Sequence, residues 1–168
     1  TPETPPALIF SNALCHWLPD HEALFSRLAH SLAPGGTLAV QMPRQFDAPS
    51  HALMRSLAEE MFPDRFDYTR WVAPVADPRD YHRMLSALGA LDVWETEYIQ
   101  RLDPAYPDHP VRRFTESTGM RPIAKKLTEA ERAAFIAEYE SALTAAYPVE
   151  EDGGVLFPFH RLFFVLTR

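Results

Sequence analysis

Short apolar runs and helix-spaced apolar stripes succeed one another along the chain. Leu8-Ile9-Phe10 is closed off by Ser11-Asn12-Ala13 and reads as a buried parallel strand. Asp20 can cap a helix with Leu24, Phe25, Leu28 and Leu32 on one stripe, until Pro34-Gly35-Gly36 stops it. Thr37-Leu38-Ala39-Val40-Gln41-Met42 then predicts a second strand. Strand, helix and strand within about 35 residues make a right-handed crossover, so the fold class is α/β with an open sheet.

Beyond Met42 a loop leads into a helix from about Ser50 to Phe62, with Leu53, Met54, Leu57 and Met61 on one side. Pro63 to Ala76 has no period and reads as loop. Asp77-Pro78 opens a helix through Tyr81, Met84, Leu85 and Leu88 to Gly89. Leu91 to Leu102, rich in Trp, Tyr, Val, Ile and Thr, predicts a strand. Residues 110 to 127 read as helical up to Gly119, with a restart at Pro122. Thr128-Glu129-Ala130-Glu131 is a capping box for a helix through Phe135, Tyr139, Leu143 and Tyr147. Gly153-Gly154 is a turn, and Leu162-Phe163-Phe164-Val165-Leu166, apolar on both faces, is placed inside the sheet.

The length of 168 residues, with 46% hydrophobic and 23% charged residues, suits one globular domain. No apolar run has the length of a membrane helix, and the proline-rich lead Thr1 to Pro6 does not have the layout of a signal peptide, so the reading is of a cytoplasmic protein. The net charge of −7 argues against nucleic acid as a partner. Cys15 is the single cysteine, so no internal disulfide forms, and the Cys/His spacings match no zinc site; no metal is expected. Of the 16 basic residues only Lys125 and Lys126 are lysines. Arginine grips carboxylates in a bidentate fork, although a coding bias produces the same ratio.

Gly-rich phosphate loops and a G-x-S-x-G nucleophile turn are both missing, which removes support for nucleotide hydrolysis and triad chemistry. What remains is the end of the first strand, Ser11 to Asp20. Ligands in open α/β sheets sit outside the carboxyl ends of strands, which is where Asn12, His16 and Trp17 fall; a core role for Trp17 is the competing reading.

Three segments carry a family resemblance: Leu8-Ile9-Phe10-Ser11-Asn12-Ala13, His16-Trp17-Leu18-Pro19-Asp20-His21 and Leu38-Ala39-Val40-Gln41-Met42-Pro43. Trp94-Glu95-Thr96, Thr118-Gly119-Met120-Arg121-Pro122 and Arg161-Leu162-Phe163 extend it along essentially the whole chain. Together they resemble the trans-aconitate 2-methyltransferase family of class I S-adenosylmethionine-dependent enzymes. Phe114 stands where that family usually has tryptophan. The resemblance implies the C-terminal half of a Rossmann-like methyltransferase sheet, about four strands with the last antiparallel, plus a helical lid. Residues 7–43, 77–102 and 155–168 would form the sheet core, and 44–76 and 103–150 the lid. It implies too that the N-terminal cofactor-binding half is absent from these 168 residues, leaving Ala7 to Phe10 as an open apolar edge.

The implied cofactor is S-adenosylmethionine, with Ser11, Asn12, Ala13, His16 and Trp17 along its wall. The implied substrate is a small polycarboxylic acid, trans-aconitate, methylated on one carboxylate. A carboxylate is ionised at neutral pH, so no general base is expected, and orientation carries the rate. Arg44, Arg121 and Arg161 are the candidate forks for the non-reacting carboxylates, against the reading of each as a surface charge or helix cap. Two alternatives stay open: another small-molecule O-methyltransferase, and a non-catalytic α/β protein that pairs through the exposed strand edge.

Overall fold

The computed structural model describes residues 4–168; Thr1, Pro2 and Glu3, the start of the proline-rich lead, lie outside the described residues. Its strands are β1 (Leu8–Asn12), β2 (Thr37–Pro43), β3 (Ala90–Leu102) and β4 (Val155–Thr167). The helices are α1 (His21–Ser31), α2 (Pro49–Met61), α3 (Pro78–Leu85), α4 (Pro110–Glu116), α5 (Arg121–Ala124) and α6 (Glu129–Ala146). A 3-10 turn, Cys15–Trp17, links β1 to α1. The sheet order is β1-β2-β4-β3. β1 runs parallel to β2 and β4 antiparallel to it, so the fold is α/β with the last strand antiparallel, as expected.

Two compact units divide the chain. The first comprises the chain up to Arg44, Ala73–Glu97 and His160–Arg168; the second comprises Gln45–Val72 and Tyr98–Phe159. β3 and β4 each contribute residues to both.

In the first unit, α1 begins where the sequence places it: the Asp20 side chain accepts from the Ala23 amide at 3.1 Å. It ends at Ser31, just before Pro34-Gly35-Gly36, where Gly35 takes a left-handed φ of 74° that a side chain would strain. Leu38, Val40 and Met42 of β2 point to the same side as Leu162, Phe164 and Leu166 of β4, and all six are buried. Phe25 of α1 meets Phe164 edge-on at 4.9 Å, and Tyr81 of α3 stacks on it at 6.0 Å. The other face of this sheet is different. The parallel register puts Leu8 and Phe10 beside Thr37 and Ala39, and they are 59% and 70% exposed. Trp94 lies flat on Phe163, ring centroids 5.2 Å apart, and is itself exposed.

The apolar run of β1 reads as a buried strand, yet it forms a sheet edge with its outer side chains in solvent. Only β2 pairs with it among the described residues, and apolarity alone does not tell how many neighbours a strand has.

The second unit has its own core of Met54, Ala58, Phe66, Phe135, Tyr139, Leu143 and Phe157, drawn from α2, the loop after it, α6 and β4. The Thr128–Glu131 capping box forms as expected. Arg112 of α4 is buried and ion-paired to Asp108, Glu116 and Glu140. The segment expected as helix up to Gly119 stops earlier: α4 ends at Glu116, and turns at 117–120 precede α5. β4 is also longer than the apolar run 162–166 suggests. Pro158 and His160-Arg161 hide its first half from a pattern search.

Candidate functional site

β1 and β2 run side by side, so their carboxyl ends open on the same rim of the sheet. The Ala13 amide donates to the Gln41 carbonyl at 3.0 Å and continues the ladder one step past β1. There the chain turns sharply: Ala13 takes φ 50° and, seven residues on, Asp20 takes φ 53°. Left-handed backbone costs a residue with a side chain roughly 1 kcal/mol or more, and such positions cluster where a loop is held for a task. Between them the 3-10 turn packs on β2.

Within this loop the sequence candidates behave differently. Ser11 is buried, and its Oγ lies 3.1 Å from Cys15 Sγ, so its hydroxyl braces the loop. Asn12 and Ala13 are exposed at the rim. His16 is buried and Trp17 is 65% exposed, their rings tilted against each other at 4.6 Å. The Trp17 ring is thus not core, contrary to the competing reading, and presents an apolar plate to solvent.

His21, at the start of α1, is fully engaged. Cys15 carbonyl can only accept, so His21 Nε2 donates to it at 3.0 Å. Nδ1 is then the acceptor for the Tyr81 hydroxyl at 2.6 Å. Burial pushes the Tyr81 hydroxyl up to about 12, so it stays a donor at neutral pH. A cavity of about 380 Å³ next to this pair is lined by Leu18, Asp20, His21, Pro74, Tyr81 and Met84. With both His21 nitrogens used, it offers shape more than chemistry.

His16 contrasts with His21. Its Nδ1 and the Nε2 of Gln41 are the two buried side-chain nitrogens without a hydrogen-bond partner among the described residues. Burial first, then its neighbours His21 and Arg161, hold the His16 imidazole below its ordinary range and therefore neutral at pH 7. Arg161 of β4 donates to Gln41 Oε1 at 3.0 Å. The rim thus combines a neutral imidazole, an amide and a guanidinium, a donor-rich set suited to an anionic or oxygen-rich ligand.

Arg44, just past β2, is committed elsewhere. Its Nη1 donates to both carboxylate oxygens of Glu95, at 3.2 and 3.1 Å, and its Nε to the Ala76 carbonyl. Asp77 lies 3.6 Å away. The side chain therefore ties the end of β2 to β3 and to the start of α3, and it could take a ligand carboxylate only by exchanging Glu95.

Arg121 belongs to the second unit, at the start of α5. It lines a shallow pocket of about 210 Å³ with Glu116, Met120, Lys125 and Arg132. Gly119 lets this turn lie close: a methyl group there would meet Met54 Cε at 2.8 Å and His51 at 3.1 Å.

Sequence reasoning passed over two groups. Gln41 was visible as a polar residue in an apolar strand and within a segment of the resemblance, with no role attached to it. Arg55, also in the second unit, lies 3.7 Å over the Trp71 ring, with Asp47 at 3.9 Å as its ion-pair partner, and burial lowers its ordinarily very high affinity for a proton. Its partners Trp71 and Asp47 lie outside the helix, so no helical period marked it.

No protein-family model matches the chain. The trans-aconitate 2-methyltransferase of Methylobacterium nodulans is 44% identical over 174 residues, covering 99% of this chain and 65% of its own length. The enzyme of the same name from Streptomyces avermitilis is 46% identical over 171 residues, 100% of this chain and 62% of its own. The chain therefore spans a little under two thirds of the length of these curated relatives. Among solved structures, the YcgJ protein from Bacillus subtilis is similar with a TM-score of 0.50 and 12% identity, covering 100% of this chain and 67% of that one, a likeness of fold alone. At 44% and 46% identity over essentially its whole length, this chain is similar to a portion of the proteins named trans-aconitate 2-methyltransferase.

Proposed function

We propose that the chain is part of an S-adenosylmethionine-dependent O-methyltransferase that converts one carboxylate of a small polycarboxylic acid, trans-aconitate, to its methyl ester. The observation that carries this reading is the identity of 44% over 99% of the chain to a curated enzyme of that name. The β1 rim is compatible with it. The exposed Trp17 ring suits a flat heterocycle, and the unpartnered His16 Nδ1 and the exposed rim residues Asn12 and Ala13 suit the polar part of the cofactor, with Ser11 bracing the loop beneath them. When bound, the cofactor supplies a methyl group on a sulfonium.

The chain's own residues then have one task, to hold a carboxylate oxygen in line with that methyl. No base is assigned, because the carboxylate is ionised at neutral pH. Alignment can contribute roughly 7–11 kcal/mol when the geometry is good. Arg161 is assigned to a non-reacting carboxylate, and Arg44 to holding the end of β2. Another small acid as the substrate is the nearest variant of this reading. The edge of β1, with Leu8 and Phe10 exposed, supports a second one, an α/β module that pairs with another chain through this strand.

The test is transfer of isotope-labelled methyl from S-adenosylmethionine to trans-aconitate, by the 168-residue chain and by the chain extended upstream in its own reading frame. The expected product is an acidic ester whose label is released by mild base. Cofactor binding without transfer to any small carboxylic acid would reject the substrate class, and no cofactor binding by either form would leave the pairing module.

A further inference from the structure

We propose that Gln41 is a specificity-determining residue of this site: with its amide oxygen held by Arg161, it donates its amide hydrogens to a non-reacting carboxylate of the acid substrate. This rests on the methyltransferase reading above and assigns the selectivity of that site to a residue not counted among its candidates.

Gln41 is only 5% exposed, in a strand whose other buried members, Leu38, Val40 and Met42, are apolar. An amide in such a place is costly to bury unless both ends are satisfied, and only one end is. The orientation of the amide follows from its partner. Arg161 has hydrogens to donate and no acceptor, so the atom 3.0 Å from its Nη1 must be the Gln41 oxygen. The nitrogen, with two hydrogens, is therefore the end without a partner.

Position supplies the second part of the argument. Gln41 takes the last ladder bond from Ala13, at the carboxyl end of two parallel strands and beside the left-handed turn. His16, whose Nδ1 is also buried and unpartnered, lies on the 3-10 turn that packs on this strand. Two buried nitrogens in the same state, with a guanidinium bonded to the oxygen of the Gln41 amide, form a site built for a ligand rich in oxygen. A carboxylate fits the Gln41 end best, because the amide hydrogens can only donate and Arg161 keeps the local potential positive.

Replacing glutamine by glutamate separates the two ends. Gln41→Glu keeps an oxygen for Arg161, nearly without change of shape, and turns the donor end into an acceptor that repels a carboxylate. In whichever form transfers methyl groups, the chain or its upstream extension, Q41E is expected to raise KM for trans-aconitate at least about tenfold, with kcat and the KM for S-adenosylmethionine nearly unchanged. Preference for trans-aconitate over fumarate, which has one carboxylate fewer, should shrink by a similar factor. A structural defect would instead lower both substrates and the cofactor alike. If Q41E melts early, Gln41→Met gives the same reading, since it too removes the donor.

An active parent with unchanged KM and unchanged preference in these variants would overturn the inference and leave the proposed function standing. A parent that transfers no methyl to any polycarboxylate would overturn both.

Discussion

His51 illustrates how burial can dominate a titration. It sits on α2 beside Ser50, whose Oγ is 3.1 Å from its Nδ1. Burial, and secondarily the charge of Arg55, lower its imidazole to about 4. An unfolded histidine takes up its proton near pH 6.5, so between these values the unfolded chain binds the extra proton and the folded one refuses it. Stability from this group is thus present above about pH 6.5 and is lost as pH falls through about 4, by on the order of 3 kcal/mol. Urea unfolding at about pH 7 and about pH 4.5 should show a smaller acid loss for His51→Gln than for the parent, and equal losses would show the imidazole to be solvated.

Single residues were the hardest part to read from the sequence. Arg44 stands just past a strand and looks like a free fork, but its partner Glu95 lies 51 positions along the chain, beyond any local pattern. Gln41 has the opposite difficulty. Its importance comes from being enclosed, and a lone polar letter in an apolar strand does not announce enclosure. Cys15 and Ser11 could not have been paired from spacing, since four positions apart in a loop has no fixed geometry.

Helices and strands were far more legible, because their ends are marked by chemistry that acts over three or four residues. Asp20, Asp77 and Thr128 all cap the helices that the sequence assigns to them. α6 has the fullest version: the Thr128 hydroxyl accepts from the Glu131 amide while the Glu131 carboxylate accepts from the Thr128 amide. The same carboxylate takes two hydrogen bonds from Arg65, at 2.9 and 2.6 Å. Arg65, followed by Thr128, therefore holds the Glu131 carboxyl far below its usual range, at about 2. Thr128→Ala should cost about 1 kcal/mol of unfolding free energy, read from a shift in the denaturation midpoint at constant slope. The element that escaped, the first half of β4, lacks such markers. It opens after a glycine turn, contains Pro158, and shows itself as a strand only through the residues it packs against.

For the molecule taken whole, the decisive quantity is how much apolar surface is left in water. Leu8, Phe10, Leu14, Trp17 and Leu18, all within the first twenty residues, are 42–70% exposed. A single exposed leucine is ordinary, but several on an edge strand and the loop after it invite strand addition or self-association. Net charge −7 opposes this by repulsion, which salt screens. Light scattering of the chain should therefore rise with ionic strength, and Phe10→Lys should suppress the rise. Scattering that falls with salt would mean that charge pairing drives whatever association occurs. No helix among the described residues is long and apolar enough to cross a membrane.

β4 carries a consequence of its own. Val155, Phe157 and Phe159 are buried, then from Leu162 onward the even-numbered residues are, so the buried side changes hands at His160-Arg161. A strand's side chains alternate strictly, and this one therefore has two tolerance rhythms joined out of step. Saturation mutagenesis along it should record intolerance at odd positions, a gap of two permissive sites, then intolerance at even ones. Deleting one residue at that joint would shift the beat of only one half, turning its guarded positions into the open ones while the other half kept time.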